Sequence, residues 1–323
     1  MKAIITTKYG SPDVLQLQDI EKPTLKDNEV LVKIHAASVT AADTMMRKGT
    51  PLYGRLFIGL TKPKHPIAGT GFSGTIEAIG RDVKLFKVGD EIFGESIFGA
   101  GTNAEYTCVP ENGVLALKPS NLTHEEVASV CDGPLTSWNF LKVMAELECG
   151  QSLLINGASG SLGTAAVQLA KHLGAKVTGV CSTSNVDMVK SLGADKLIDY
   201  TKTDFTKTGQ TYDVILDTVG KSSFTKCKKA LKPNGKYLSP VLSLPLLFQM
   251  LWTSMFGSKK AKFSATGLQP VPELRLLLNE LKTLLESGQL KSVIDRCYPL
   301  EEVAEAHQYV DTAHKKGNVI VVM

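Results

Sequence analysis

The six cysteines include no CxxC pair and no Cys–His cluster. Neither a disulfide framework nor a structural zinc is therefore indicated, and a reducing compartment, the cytoplasm, is expected. Basic residues do not stand apart in a stripe either. The 36 Lys and Arg are interspersed with 32 Asp and Glu, for a net charge of +4, which argues against a nucleic-acid-binding protein. The opening MKAIITTKYG lacks the apolar core of a signal peptide and reads as a polar-punctuated strand. One run, Tyr237 to Ser258 (YLSPVLSLPLLFQMLWTSMFGS), is free of charge over 22 residues, near the length of a bilayer span. Pro240 and Pro245 break its first half, and Ser, Gln and Thr are spread through it, so no membrane partner is expected. It reads as a strand end followed by a buried or cleft-lining helix, or as a subunit interface or apolar substrate wall.

What is present is enough chain, 323 residues, for two domains. Up to about residue 122 the sequence runs in short alternating segments, AIITTKY, EVLVKIHAASV, SGTIEAIG, GDEIFG, AEYTCV and VLALKP, separated by Gly, Pro and Asp. These are strand signals at the spacing of a barrel or sandwich. The period then lengthens. Thr123 with Glu126 three residues on forms a capping-box pattern at the head of a helix. From there SLLIN, KVTGVC, KLIDY, DVILDTV and GKYLSPV are apolar strands alternating with helical segments, the pattern of a doubly wound parallel sheet. The expected division is 1–122 rejoined by 289–323, with 123–288 between them.

Within the second region, INGASGSLGTAAVQLAKHLGA places a glycine-rich turn between a strand and an Ala-rich helix. Small residues at Gly157, Ala158, Ser159 and Gly160 let backbone approach a pyrophosphate. Ser161 and Leu162 open the helix, and Gly163 lets it pack close to the strand. The spacing is GxxGxxG rather than GxGxxG, and the strand and helix on either side supply the specificity that glycines alone lack. About twenty residues on, where sites selective for NAD carry an acid for the ribose hydroxyl, the chain reads Val180, Cys181, Ser182, Thr183, Ser184 and Asn185. Ser182 and Thr183 can donate to a 2′-phosphate without repelling it, which predicts NADPH. The same residues also suit the start of the next helix, with Ser184 or Asn185 as N-cap.

With these motifs assembled, the chain resembles a zinc-free member of the medium-chain dehydrogenase/reductase superfamily, in its quinone and enone oxidoreductase branch. GASGSLGTAAVQLAKHLGA, LGADKLIDY, DVILDTVG and KKGNVIVVM carry the resemblance, with VKIHAASVTAAD and VGDEIFG in the first half. It implies an α/β architecture: a GroES-like β-barrel catalytic domain and a Rossmann domain, with the nicotinamide in the cleft between them. Alcohol-dehydrogenase relatives carry a catalytic zinc, but the corresponding stretches here read SVTAAD, IAGTGFSG and CDGPLTSW. Thr40 and Ala41 stand near the first ligand position and Gly69, Thr70 and Gly71 near the His–Glu pair. That leaves Cys131 alone where zinc needs three protein ligands, and no metal is expected.

Without a metal, the accessible chemistry is hydride delivery to an electron-poor carbon of a quinone or an α,β-unsaturated carbonyl. Tyr53, Thr40 and Asp43 are the candidate proton or hydrogen-bond donors, Thr40 standing where relatives often carry Asn. Asp43 also suits an N-cap of TMMRKG, and Tyr53 a packing role in its loop. Tyr200 and Asn318 resemble family positions beside the cofactor, and each is equally suited to a structural place. His307 and His314 read as surface or helix-terminal histidines, and Cys181 as buried. The competing readings are a nucleotide-binding protein with a structural role and an alcohol-dehydrogenase-type carbonyl reductase. Relatives in this branch commonly form two-fold dimers, so a homodimer is expected, with part of Tyr237–Ser258 at its interface.

Overall fold

The computed structural model describes residues 1–96, 101–265 and 269–323. The chain divides into two compact units, 1–132 with 270–323, and 133–269. These boundaries lie at 132/133 and 269/270, whereas the sequence reading placed them at 122/123 and 288/289. The shift has a packing cause. Two helices near the boundaries, His124–Ala128 and Val271–Glu286, lie against strands of the first unit.

Strands β1 (Lys2–Thr6) and β2 (Leu15–Asp19) form an antiparallel pair at the start of the first unit. Strands β3 (Glu29–Val39), β4 (Gly71–Ile79), β5 (Glu91–Glu95), β6 (Tyr106–Pro110) and β7 (Val114–Leu117) follow. The second unit holds β8 (Ser152–Asn156), β9 (Lys176–Cys181), β10 (Lys196–Asp199), β11 (Tyr212–Asp217), β12 (Leu231–Ser239) and β13 (Lys260–Phe263). The chain then returns to the first unit for β14 (Ile294–Pro299) and β15 (Asn318–Val322). The first unit's larger sheet has the order β14-β15-β3-β4-β5-β7, with β6 paired to β3. Alternation along β3 sends Val30, Val32 and Ile34 into a core with Phe72, Ile76, Ile92 and Leu115. This is the GroES-like domain.

All pairings in the second unit are parallel, in the order β10-β9-β8-β11-β12-β13. The order reverses between β8 and β11, and ligands of such sheets bind outside the carboxyl ends of the strands at that point. This is the Rossmann domain. Strands β2 and β13 had no clear signal in the sequence, being short and mostly polar or lysine-flanked. No helix among the described residues is long and apolar enough to cross a membrane.

Helix α1 (Ala41–Lys48) follows β3, α2 (His124–Ala128) follows β7, and α3 (Ser161–His172) follows β8. Helix α4 (Leu244–Met255) lies between β12 and β13, α5 (Val271–Glu286) follows β13, and α6 (Val303–Asp311) precedes β15. One histidine assignment is overturned here. His307 is fully buried, because α6 turns Val303, Ala306, His307 and Val310 to one inward face. Its ring lies near the buried Arg47, which pairs with Asp311 at 2.5 Å, and burial pushes the imidazole down to about 3. His314, beyond the end of the helix, is exposed.

Candidate functional site

The glycine turn has its conformation for identifiable reasons. Gly157 has φ +84°, which favours glycine, and a Cβ there would fall 2.4 Å from Val219 and 2.5 Å from Thr218. At Gly163 a Cβ would lie 2.1 Å from the Gly157 carbonyl oxygen, so helix α3 rests directly on the turn. Gly160 is different. Among the described residues a Cβ there would meet nothing nearer than the Gly157 oxygen at 3.7 Å. No side chain hydrogen-bonds to cap α3, whose N-cap is Gly160. The turn therefore offers an open approach to backbone N–H groups at the positive end of a helix, and it fits a pyrophosphate. Ala158 is fully buried, and Ser159 accepts a hydrogen bond from the Asn185 amide at 3.0 Å. Ser161 is buried at the head of α3, and Leu162 follows it with its carbonyl accepting from the Ser137 hydroxyl.

The next strand end is more complex than its sequence suggested. Ser182 and Ser184 hydroxyls lie 3.2 Å apart, and neither Ser182 nor Asn185 caps a following helix through its side chain. Thr183 donates to Asp199, which comes from β10 through the parallel pairing of Asp199 with Cys181. Asp199 also accepts from the backbone and hydroxyl of Thr201, at 3.0 and 2.7 Å. These donors hold its carboxyl down at about 2, so it is anionic. An acid absent from the local sequence window thus reaches the same place from the neighbouring strand, with Lys202 at 3.4 Å as its counter-ion. Tyr200, beside it, is exposed. Cys181 is buried, as expected.

A second residue without a sequence forecast is Asp217 at the end of β11, fully buried. It accepts from Asn156, from the Tyr237 hydroxyl and from the backbone N–H groups of Val219, Gly220 and Ser222. It thereby fixes the loop after β11, whose Thr218 and Val219 press against Gly157. The DVILDTVG motif contained the residue, but its role needs partners from β8 and β12 to be visible.

In the first unit the structure brings Thr40 and Asp43 together, both buried. Thr40, not Asp43, is the N-cap of α1, and Asp43 completes a capping box. The Thr40 backbone N–H donates to Asp43 Oδ2 at 2.8 Å and the Thr40 hydroxyl donates to the same oxygen at 2.7 Å. Asp43 Oδ1 is buried without a partner among the described residues. Burial raises the carboxyl to about 7 against the pull of the Thr40 hydrogen bonds, with the nearby Asp132 adding to the rise. Glu95 is pushed up to about 8 by burial, then by Asp132 and Asp43. The Lys315 ammonium is shifted down by desolvation while Asp132, Asp295 and Asp43 oppose that shift. The Asp43 and Glu95 carboxyls are therefore both raised toward neutrality beside Asp132. Glu95 and Asp132 were not singled out from the sequence, since they lie 52 and 89 residues from Asp43.

Tyr53 sits in the 3-10 turn Leu52–Gly54, exposed, with its hydroxyl shifted upward by partial burial. Asn318 is buried at the start of β15, and its amide donates to the Val293 carbonyl at 3.1 Å. Cys131 is buried and its thiol is raised by desolvation. Among the described residues no group of three or more His, Cys, Asp or Glu is arranged to hold a metal ion.

Comparison with known proteins agrees with this geometry. Residues 26–119 match the alcohol dehydrogenase GroES-like domain and 192–321 the zinc-binding dehydrogenase family. The chain is 34% identical to the mitochondrial NAD(P)H oxidoreductase RTN4IP1 of Mus musculus, over 99% of this chain and 89% of that protein. It is 33% identical to the chloroplastic NADPH-dependent alkenal/one oxidoreductase of Arabidopsis thaliana, over 99% and 79%. The quinone oxidoreductase of Coxiella burnetii superposes with a TM-score of 0.88 at 28% identity, covering 100% of this chain and 99% of that one. With a GroES-like unit, a Rossmann sheet and an open glycine turn at its switch point, the chain belongs to the quinone and enone oxidoreductase branch of the medium-chain dehydrogenase/reductase superfamily.

Proposed function

We propose that the protein is an NADPH-dependent reductase of quinones or α,β-unsaturated carbonyls that works without a metal. The observation that carries this reading is the open face of Gly160 at an uncapped helix N-terminus, with Gly157 and Gly163 closed on either side. Gly157, Ala158, Ser159, Gly160, Ser161, Leu162 and Gly163 would hold the pyrophosphate, and Ser182, Thr183 and Tyr200 the adenosine half. Asn318, on the first unit, is assigned to cofactor binding by family resemblance. Bound NADPH supplies the hydride, and the names of the alkenal/one and quinone relatives support the acceptor class.

The chain's own residues manage the proton. Burial raises the Asp43 carboxyl to about 7, with the Thr40 hydroxyl pointed at one oxygen and the other without a partner among the described residues. That pair is suited to donate a hydrogen bond or proton to an oxygen that gains charge as the acceptor is reduced. Tyr53 is a second hydroxyl for orienting the acceptor.

NADPH is assigned over NADH because Ser182 and Thr183 offer hydroxyls at the strand end. Asp199 favours the opposite choice, since its anionic carboxylate takes the Thr183 hydroxyl and would repel a 2′-phosphate. Lys202 offsets that charge, and on balance we expect NADPH to bind about tenfold tighter than NADH. We further assign the protein to the cytoplasm, as a homodimer joined through its nucleotide-binding unit. Part of Tyr237–Ser258, whose helix α4 packs against the edge strand β13, would lie at the two-fold interface. The decisive experiment is NADPH oxidation with phenanthrenequinone and with a short alkenal. Turnover of either supports the reading; cofactor binding without turnover would favour the structural role, and turnover of a simple aldehyde alone the carbonyl reductase.

A further inference from the structure

The first unit exposes four large apolar side chains close together in the connection between α1 and β4: Leu52 at 72%, Leu56 at 70%, Phe57 at 67% and Leu60 at 67%. Strand β3 ends at Val39 and β4 begins at Gly71, so this connection lies at the same end of the sheet as Thr40 and Asp43. Leu52–Gly54 and Arg55–Ile58 form one unbroken helical run. Four-residue spacing then puts Leu52 and Leu56 on one side and Tyr53 and Phe57 on the side next to it, with Tyr53 one turn from Phe57.

The run is held by polar contacts that use none of these apolar groups. Arg55 Nε donates to the Gly49 carbonyl at 2.9 Å, and its guanidinium lies over the Tyr9 ring, 4.4 Å from the centroid. The Tyr9 hydroxyl donates to the Gly59 carbonyl, and the Lys64 backbone N–H donates to the Ile58 carbonyl at 2.8 Å. The connection therefore keeps its shape while its apolar residues stay in water. Single exposed apolar residues are ordinary, but a cluster of them marks a contact surface.

The size of the ridge and its neighbour indicate what covers it. From Leu52 to Ile58 the run is about 10 Å long, the reach of an extended alkyl chain of roughly eight carbons. Amphipathic helices that lie in lipid interfaces present longer stripes, and the two-fold contact proposed above lies on the second unit. Tyr53, assigned above to orient the acceptor, stands at one end of the ridge. We propose that Leu52, Leu56, Phe57 and Leu60 take the apolar chain of the acceptor, so that the substrates are α,β-unsaturated carbonyls or quinones bearing a linear alkyl chain of roughly eight carbons. The reaction is the one proposed above: a hydride from NADPH and one proton add across the conjugated system, giving the saturated carbonyl or the hydroquinone and NADP⁺. This inference rests on the reductase reading and names its substrate class.

The test follows kcat/KM for NADPH oxidation with hexenal, octenal and decenal, each unsaturated beside its aldehyde, and with a benzoquinone with and without a decyl chain. Full burial of a methylene is worth about fourfold in binding and contact on one side about half that free energy, so kcat/KM should rise about twofold per carbon, roughly 15-fold from hexenal to decenal. Leu56→Ser with Phe57→Ser should lower the decenal-to-hexenal ratio severalfold. Leu85→Ser, at an exposed leucine in the β4–β5 connection at the opposite end of the sheet, should leave that ratio as it is in the wild type. Turnover of hexenal or the bare quinone with no gain from a longer chain overturns the inference and leaves the reductase reading in place, whereas no turnover of any acceptor removes both. A gain with chain length that survives Leu56→Ser with Phe57→Ser also overturns it. Vesicle binding or a dimer lost in that double variant, together with a flat chain-length profile, would give the ridge to a lipid surface or a second copy instead.

Discussion

A single methyl group added at Gly160 separates cofactor binding from folding. The backbone there has φ −83° and ψ −179°, ordinary extended geometry for alanine, and among the described residues the new Cβ would meet only the Gly157 oxygen, at 3.7 Å. Gly160→Ala gives up a few tenths of a kcal/mol as an N-cap and regains a similar amount by restricting the unfolded chain, so stability should change by less than about 0.5 kcal/mol. The methyl would occupy the space through which a pyrophosphate reaches the α3 N–H groups. Loss of one hydrogen bond to a charged group costs about 1.5–3 kcal/mol, which corresponds to a roughly 10- to 100-fold rise in the NADPH dissociation constant. Gly163→Ala is the contrast. Its Cβ would sit 2.1 Å from the Gly157 oxygen and 2.6 Å from Ala158 Cα, forcing helix from turn at a cost of about 3 kcal/mol. Fluorescence titration with NADPH and thermal melts of the three proteins check both. An unchanged dissociation constant in a stable Gly160→Ala protein would refute the placement of the pyrophosphate on this turn.

Three further outcomes follow from the same geometry. Removing the charge at Asp199 by Asp199→Asn should raise the NADPH-to-NADH affinity ratio several-fold, and Ser182→Asp should narrow or reverse it; titration with both cofactors measures each. The Asp43 carboxyl, at 3.8 ordinarily and about 7 when folded, retains a proton that the unfolded chain has released. Its stabilisation is full below about pH 4 and is lost as pH rises through 7. Asp43→Asn should therefore flatten the decline of melting temperature between pH 5 and 8, leaving the part that Glu95 contributes in the same direction, and a slope identical to wild type would remove Asp43 from the titrating group. Activity should survive prolonged chelation with far less than one zinc per chain by elemental analysis, and stoichiometric zinc with chelator-sensitive turnover would overturn a metal-free mechanism.

What the sequence determined by itself was everything set by a few neighbouring residues. Alternation along EVLVKIHAASV marked β3, and the Thr123–Glu126 capping box marked the start of α2. The glycines of INGASGSLG announced a strand–turn–helix unit because φ +84° at Gly157 and the contact at Gly163 admit little else. Pairing between distant segments decided the rest. Asp199 reaches Thr183 only because β10 lies beside β9 in a parallel register, and no local window contains both. The Asp43 and Glu95 carboxyls are raised only because α1 and the end of β5 converge beside Asp132, and burial rather than residue type then sets their proton affinity. His307 read as a surface or helix-terminal residue but is buried in the fold, because its helix face was chosen by packing. Helix α4 is the sharpest case. A segment apolar on every side carries no periodic signal for which face is inward, so only its packing on the second unit's core reveals that Phe248, Trp252 and Met255 face away from it.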